Sequence, residues 1–331
     1  MRQLQVSGRE AGQRLDRYLE RYMPQAQKSF FYKMLRKKNI TLNGRKAAGN
    51  ERLQEGDTVS LFLAEDTVAK FRGKGGGCQE TAKQERKLPM PPVIYEDEEL
   101  LVLNKPLGML SQKAGKEDVS LVECIVSYLL GDGAPDTTFR PGICNRLDRN
   151  TTGIVVAGKT VGSLKYLNQL FKERALQKYY LCLVQGRVEK GAKVSGYLVK
   201  DEGNNRVTVK KEKMDGAARI ITAYEPVGTG CLRGQEYTLL KVELITGKSH
   251  QIRAHLQSIG HPVVGDAKYG EKAVYGLFRE EFGVRYQLLH AWKLKLGQPE
   301  YLPEKYRGME FTAPLPEQFV RVLRGVGIHI S

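Results

Sequence analysis

Apolar residues recur along this chain with two periods, and the period marks the element. Leu15, Leu19, Tyr22 and Met23 share a helical spacing, as do Phe30, Phe31, Met34 and Leu35. Residues 39–44 (NITLNG) predict a short strand ending in an Asn-Gly turn, and residues 59–63 predict a strand after the Gly56-Asp57 turn. Residues 93–95 and 100–103 read as paired strands around the acidic turn at residues 96–99. An amphipathic helix is expected over residues 121–130, with Leu121, Ile125, Val126 and Leu129 on one side. The β-branched run at residues 154–157 predicts a buried strand. Residues 163–176 carry Leu164, Leu167, Leu170 and Phe171 at helical spacing. Residues 178–186 and 236–245 predict strands, and residues 187–235 an antiparallel meander or hairpin extension with strand patches at 207–209 and 218–224. A last helix is expected over residues 317–324.

These elements predict an α+β protein with more than one folded unit, and 331 residues suffice for two domains. Residues 65–90 interrupt the pattern with a triple glycine, many charges and few apolar side chains. Such a stretch cannot bury enough surface to offset its ordering entropy, so it predicts a flexible linker that tethers its neighbours loosely. The expected division is a basic module at 1–64, a linker at 65–90 and a larger domain at 91–331.

Charge narrows the partner. The chain carries 53 Lys+Arg against 37 Asp+Glu, a formal net charge of +16. Residues 1–90 hold 19 basic and 10 acidic side chains, a net +9. No acidic residue occurs between Arg21 and Asn50, while Lys33, Arg36, Lys37, Lys38, Arg45 and Lys46 do. That distribution points to a polyanion, with nucleic acid first. The five cysteines form no C-x-x-C pair, which argues against a disulfide framework or zinc knuckle. No apolar run approaches a membrane span and no signal-peptide core is visible, so a cytoplasmic setting is expected.

The candidate chemistry lies in NRLDRNTTGIVVAGK, residues 145–159, where Asp148 stands between Arg146 and Arg149 ahead of a polar turn and a buried strand. Asp in such a turn commonly bonds its own backbone or pairs with a flanking arginine. A calcium loop would place a glutamate where Lys159 stands, which rejects it. His250 and His255 are five residues apart, off a common helix face, and no metal is expected there.

RLDRNTTG resembles the RLD-x-x-T-S-G signature of the RluA-type pseudouridine synthases, which makes Asp148 the catalytic aspartate by implication. Further strings match in order. VIYEDEELLVLNKPLGM resembles the opening of that catalytic domain, and KYYL its K-x-Y-L strand, with Tyr180 as the matching tyrosine. GKSHQIRAH resembles G-R-T-H-Q-I-R-x-H, with Arg253 as the arginine that pairs with the aspartate. GHPVVGDAKYG, LHA and FTAPLP match later strings. RLDRYL, KMLRKKNITLNG and LQEGDTVSLFL resemble the S4 RNA-binding module.

The resemblance implies an S4 module ahead of a catalytic domain built on a mixed, mostly antiparallel sheet. It implies isomerisation of uridine in structured RNA, with 23S ribosomal RNA foremost and tRNA as the alternative. Asp148, Tyr180 and Arg253 would be catalytic, and Lys33, Arg36, Lys37, Lys38, Arg45, Lys46 and Arg146 would contact RNA. No cofactor, membrane or obligate protein partner is expected, and a monomer is the default. Three departures from the family pattern stand out: Asn145 for His, Thr152 for Ser, and Lys248-Ser249 for Arg-Thr. They bear on substrate contacts more than on the trio. The competing classes are a non-catalytic S4-type RNA-binding protein and a hydrolase that uses Asp148 on a glycosidic bond, with Asp266 offered as its second carboxylate.

Overall fold

Leu15, Tyr18, Leu19 and Tyr22 repeat at i, i+3, i+4 and i+7, and all four are buried on one face of helix α1 (Leu15–Tyr22). Helix α2 (Lys28–Arg36) adds Phe31 and Leu35 to the same core. In this computed structural model, which describes residues 1–72, 88–115, 118–131, 138–201 and 206–329, both helices pack on a four-stranded antiparallel sheet. Its strands are β1 (Arg2–Gln5), β2 (Ile40–Leu42), β3 (Arg45–Lys46) and β4 (Thr58–Leu61), in the order β1-β4-β2-β3. Asn43 at φ 50° and Gly44 at φ 73° form the tight turn from β2 to β3, both in the left-handed region that a two-residue hairpin requires.

The segment expected as linker from residue 65 starts instead as helix α3 (Glu65–Arg72). Val68 and Phe71, three residues apart, form its apolar face: Val68 is buried in the N-terminal core, and the Phe71 ring lies 4.6 Å from that of Phe30. The Gln25 N–H donates to the Phe71 carbonyl at 3.0 Å and the Arg72 guanidinium carbon lies 4.7 Å from the Tyr22 ring, while Glu65 and Asp66 in the first turn and Lys70 and Arg72 in the last complement the helix dipole. Residues 73–87 of the expected linker lie outside the described residues.

The remainder is built on one eleven-stranded sheet. In chain order it contains β5 (Val93–Glu96), β6 (Leu100–Lys105), helix α4 (Leu121–Leu130), β7 (Gly142–Ile143), β8 (Thr152–Gly158) and helix α5 (Val161–Glu173). Then follow β9 (Leu176–Gln185), β10 (Ala192–Asp201), β11 (Arg206–Lys210), β12 (Ala218–Leu232) and β13 (Gln235–Leu244). Helices α6 (Gln251–Ser258) and α7 (Lys272–Phe282), strands β14 (Leu289–Leu296) and β15 (Glu310–Thr312), and helix α8 (Glu317–Gly325) complete it. The strand order is β11-β10-β12-β13-β9-β14-β8-β6-β5, with β15 beside β14 and β7 beside β8. All pairs are antiparallel except β14 with β8. The sheet is therefore mixed and mostly antiparallel; β10 and β11 form a hairpin, and β12 pairs with the other edge of β10, so residues 187–235 extend the sheet as a hairpin rather than as a meander.

Every residue of β8 is buried, as a strand covered on both faces must be. Alternation along β9 separates two cores. Tyr180, Cys182 and Val184 face Ile252 and Leu256 of α6, while Leu181 and Leu183 face Phe278 of α7 and Phe319 of α8.

The N-terminal unit is not loosely tethered to this sheet. Glu10, 4% exposed, accepts from the backbone N–H and the hydroxyl of Thr138, both at 2.7 Å. Gln13 Nε2 donates to Thr138 Oγ1 at 3.1 Å, and the Val161 N–H donates to the Arg9 carbonyl at 3.0 Å. A buried carboxylate so partnered holds two surfaces in one arrangement, because separation breaks several bonds together. Glu10→Ala leaves the Thr138 N–H buried without its acceptor, and should lower the stability read by denaturant unfolding by about 1–3 kcal/mol.

Candidate active site

The loop at residues 145–149 delivers Asp148 to the head of β8, and four anchors fix that loop. The Asn145 side-chain amide donates to the Ile154 carbonyl at 3.0 Å and accepts from the Val156 N–H at 2.8 Å, so it completes the edge of β8 like a backbone unit. The Ser111 hydroxyl accepts from the Leu147 N–H at 3.1 Å and donates to the Leu147 carbonyl at 2.8 Å. The Lys105 ammonium, fully buried, donates to the carbonyls of Pro106, Met109 and Arg149 at 3.0, 2.9 and 3.1 Å. Finally, Gly153 lies at φ +111° with β14 so close that a Cβ would stand 2.2 Å from the Ala291 carbonyl oxygen. Asn145, where the family pattern has His, thus has an architectural use.

Burial pushes Lys105 down to about 8, against the pull of the Asp148 charge. It remains cationic at neutral pH, held by carbonyl dipoles. A lysine that donates to three backbone carbonyls inside the core does not reach RNA.

Asp148 itself is 28% exposed. Arg253 Nη1 donates to its Oδ2 at 3.1 Å. The two-pronged face of that guanidinium is used elsewhere: Nε and Nη2 donate to Asp266 Oδ2 and Oδ1 at 2.6 and 2.9 Å. Asp266 Oδ1 also accepts the N–H groups of Lys268 and Tyr269, and the Tyr269 ring lies 5.0 Å from the Arg253 guanidinium carbon. Arg253 is therefore aimed by Asp266 and Tyr269, and offers Asp148 one bond rather than a fork. Asp148 Oδ1 has no hydrogen bond among the described residues.

Tyr180 comes from β9, opposite Val242 and Ala291. It is 7% exposed, and its hydroxyl has no partner among the described residues. Burial, then the Asp148 charge, pushes its pKa well above the usual phenol range, so it stays a phenol at neutral pH. His250, at φ 56° in the left-handed region, places Nε2 3.8 Å from Asp148 Oδ2 while Nδ1 meets the Tyr269 hydroxyl at 3.0 Å. Burial lowers its pKa, which leaves the imidazole neutral at pH 7. His255 instead bonds Thr222 Oγ1 at 3.0 Å, so the two histidines serve separate contacts.

The three residues expected to be catalytic therefore meet, from a loop, a strand and a helix, around one cleft of about 610 Å³. Arg146 lines it and is exposed. Lys33, Arg36, Lys37, Lys38, Arg45 and Lys46 are all exposed on the N-terminal unit, and none lines the cleft. The Lys-Pro-x-Gly turn makes Lys105 either a structural lysine or an RNA contact, and the structure gives the former; sequence reasoning missed the site roles of His250, Asp266 and His290. These three depend on contacts across the chain. His290, beside Thr152 in the parallel pair, receives the Thr152 hydroxyl on Nδ1 at 2.7 Å and donates Nε2–H to the Ala313 carbonyl at 3.2 Å. Thr152, where the family pattern has Ser, uses its hydroxyl there.

A family model described as RNA pseudouridylate synthase matches residues 99–258. Ribosomal large subunit pseudouridine synthase C of Vibrio vulnificus is 29% identical over 320 residues, across 96% of this chain and 93% of its own. An uncharacterized RNA pseudouridine synthase of Mycoplasma genitalium is 31% identical over 285 residues, across 85% of each chain. Among solved structures, human RNA pseudouridylate synthase domain containing 4 shares the fold at a TM-score of 0.57 and 22% identity, over 72% of this chain and 94% of that one.

The buried His290 makes the site's support sensitive to acid. Burial depresses its pKa to about 4, against a weaker opposing effect of the Ala313 carbonyl. Between its ordinary value near 6.5 and 4, the unfolded chain binds the proton more readily. Stability is therefore full above about 6.5 and falls as pH drops toward 4. The His290 share is about 3 kcal/mol. Denaturant unfolding at pH 7 and pH 4 should show a smaller acid loss in His290→Asn than in wild type, by about that amount.

Proposed function

The chain belongs to the RNA pseudouridine synthase family, and from that premise we propose that it converts uridine to pseudouridine in large-subunit ribosomal RNA, with Asp148 as the catalytic carboxylate. The observation that carries the assignment of residues is the convergence of Asp148, Tyr180 and Arg253 on one cleft of a size suited to a nucleoside.

The reaction moves uracil from a nitrogen to a carbon linkage on the same ribose. The C1′–N1 bond breaks, the C1′–C5 bond forms, C5 loses a proton and N1 gains one. No electron donor, water or transferred group is consumed. Such chemistry needs an ionised carboxylate beside the sugar and base. Arg253 supplies the positive charge that opposes the desolvation of Asp148, and its single bond leaves Asp148 Oδ1 open to substrate. Tyr180, as a neutral phenol against the core, offers its ring to the base and its O–H as a donor. The hydrolase reading loses its second carboxylate, because Asp266 is buried and committed to Arg253 and two backbone N–H groups.

A uridine must leave its stack to enter this cleft, at a cost of a few kcal/mol. The N-terminal unit acts as an S4-type module that supplies binding energy for this step. Lys33, Arg36, Lys37, Lys38, Arg45 and Lys46 contact phosphates there, and Arg146 contacts RNA at the cleft. Its bonds through Glu10 and Gln13 hold it against the catalytic domain, so the two surfaces engage one RNA at a set spacing. The enzyme acts in the cytoplasm; among the described residues, no helix is long and apolar enough to cross a membrane.

The test is a pseudouridine map of ribosomal and transfer RNA from cells lacking the protein, complemented with wild type or Asp148→Asn. Large-subunit sites should return with wild type alone, and the variant's rate in vitro should fall about a thousandfold or more. Return of the same sites with Asp148→Asn would remove Asp148 as the catalyst. Dependence of transfer RNA sites instead would move the substrate, and dependence of no site would leave an RNA-binding protein.

A further inference from the structure

The cleft holds cations that the trio does not use. Asp148 is the only carboxylate among the described residues that line it, against seven lysines and arginines. Arg253 is paired, but Lys178 and Arg174 have no side-chain hydrogen bond or ion pair among the described residues. Lys178 stands two positions before Tyr180 on β9, so strand alternation points both side chains to the same face, about 6.6 Å apart along the strand. Tyr180 is buried, Lys178 half-buried and Arg174 exposed, so this line runs from the cleft floor toward its mouth. Gly247 borders the ammonium: a Cβ there would stand 3.3 Å from Lys178 Nζ.

Arg174 adds a second observation. It ends α5 at φ 58° and ψ 31°, a left-handed position where glycine or asparagine costs least, and its N–H caps the carbonyls of Leu170 and Phe171. Burial, then the Arg174 charge, pushes the pKa of Lys178 down, and no carboxylate opposes them. Two neighbouring cations, one of them partly desolvated and without a counter-ion, form an arrangement that an anion stabilises. The anion that every RNA substrate carries is its phosphodiester.

We propose that Lys178 and Arg174 form a phosphate subsite that holds the phosphodiester of the nucleotide whose base lies against Tyr180. The subsite rests on the reading of Asp148 as the reacting carboxylate, and it serves substrate binding. Lys178 anchors the sugar-phosphate from the mouth side while Tyr180 receives the base, so the sugar between them is presented to Asp148. Seating the phosphate also offsets a share of the cost of unstacking the uridine.

The experiment measures pseudouridine formation in an unmodified ribosomal RNA transcript by the full chain, as a function of salt, for wild type, Lys178→Met, Lys178→Arg and Arg174→Asn. Loss of one charged phosphate contact should raise KM about tenfold in Lys178→Met. Its kcat should stay within about threefold of wild type, and the slope of log(kcat/KM) against log[salt] should become shallower by about 0.7–0.9. Lys178→Arg should restore both KM and slope. Arg174→Asn keeps a residue that tolerates the left-handed position at an exposed helix end, and should show the same signature even where Lys178→Met folds poorly. An unchanged KM and salt slope in both charge-removing variants would overturn the subsite, as would a fall in kcat alone with the slope unaltered. If wild type forms no pseudouridine in any ribosomal or transfer RNA, the functional reading fails and the subsite fails with it. A working wild type with indifferent variants rejects the subsite alone.

Discussion

Arg253 is the interaction on which the site depends, because it is a buried cation between two carboxylates of unequal use. Asp266 takes its bidentate face and is itself held by two backbone N–H groups. Of the three N–H groups that remain, one on Nη1 is aimed at Asp148. A guanidinium so aimed is fixed in place by the protein before any ligand arrives. Had the fork closed on Asp148, both of its oxygens would be occupied. The division of labour between Asp266 and Asp148 leaves one oxygen free.

Around that ion group the protein spends buried polar contacts on backbone rather than on substrate. Lys105 ties three carbonyls beneath the loop, Ser111 clips Leu147 at both its N–H and its C=O, and Asn145 substitutes for a strand neighbour along β8. Gly153 lets β14 approach until His290 meets Thr152. A loop held at this many points presents Asp148 as rigidly as a strand would, which suits chemistry that depends on placement. Two of the three departures from the family pattern, Asn145 and Thr152, fall among these contacts. Their side chains support the loop, while Lys248 and Ser249 line the cleft.

On the proposed reading, in which the cations of the N-terminal unit hold RNA, the docking of that unit sets how the RNA meets the cleft. A flexible tether would raise only the local concentration of RNA near the cleft. Buried contacts through Glu10, Gln13 and Thr138 fix the spacing between the exposed cations of this unit and Asp148. A structured RNA must then match that spacing as well as offer a uridine that can unstack. Selection of the target can thus arise from geometry, although phosphate contacts carry no sequence information themselves.

Local pattern made much of the molecule legible. The N-terminal helices, the buried strand after Asp148 and the strand patches of residues 187–235 follow from which residues repeat with period two or 3.6, because that repeat decides which face can be buried; the mixed, mostly antiparallel sheet was legible only through the family resemblance. Asp148, Tyr180 and Arg253 were each legible as members of contiguous strings resembling one family. Helix α3 was not, since its apolar face is two residues within a charged stretch, and its partner Phe30 lies far back in the chain. Helix α7 went unpredicted, and α6 was read as a motif rather than as a helix. The pairing of Arg253 with Asp148 spans 105 positions, and that of Thr152 with His290 spans 138. No local period encodes such contacts. Only the folded chain decided which carboxylate takes the arginine's fork, which lysine is interior and which cations remain unpaired at the cleft, because each is a choice among distant partners competing for the same buried space.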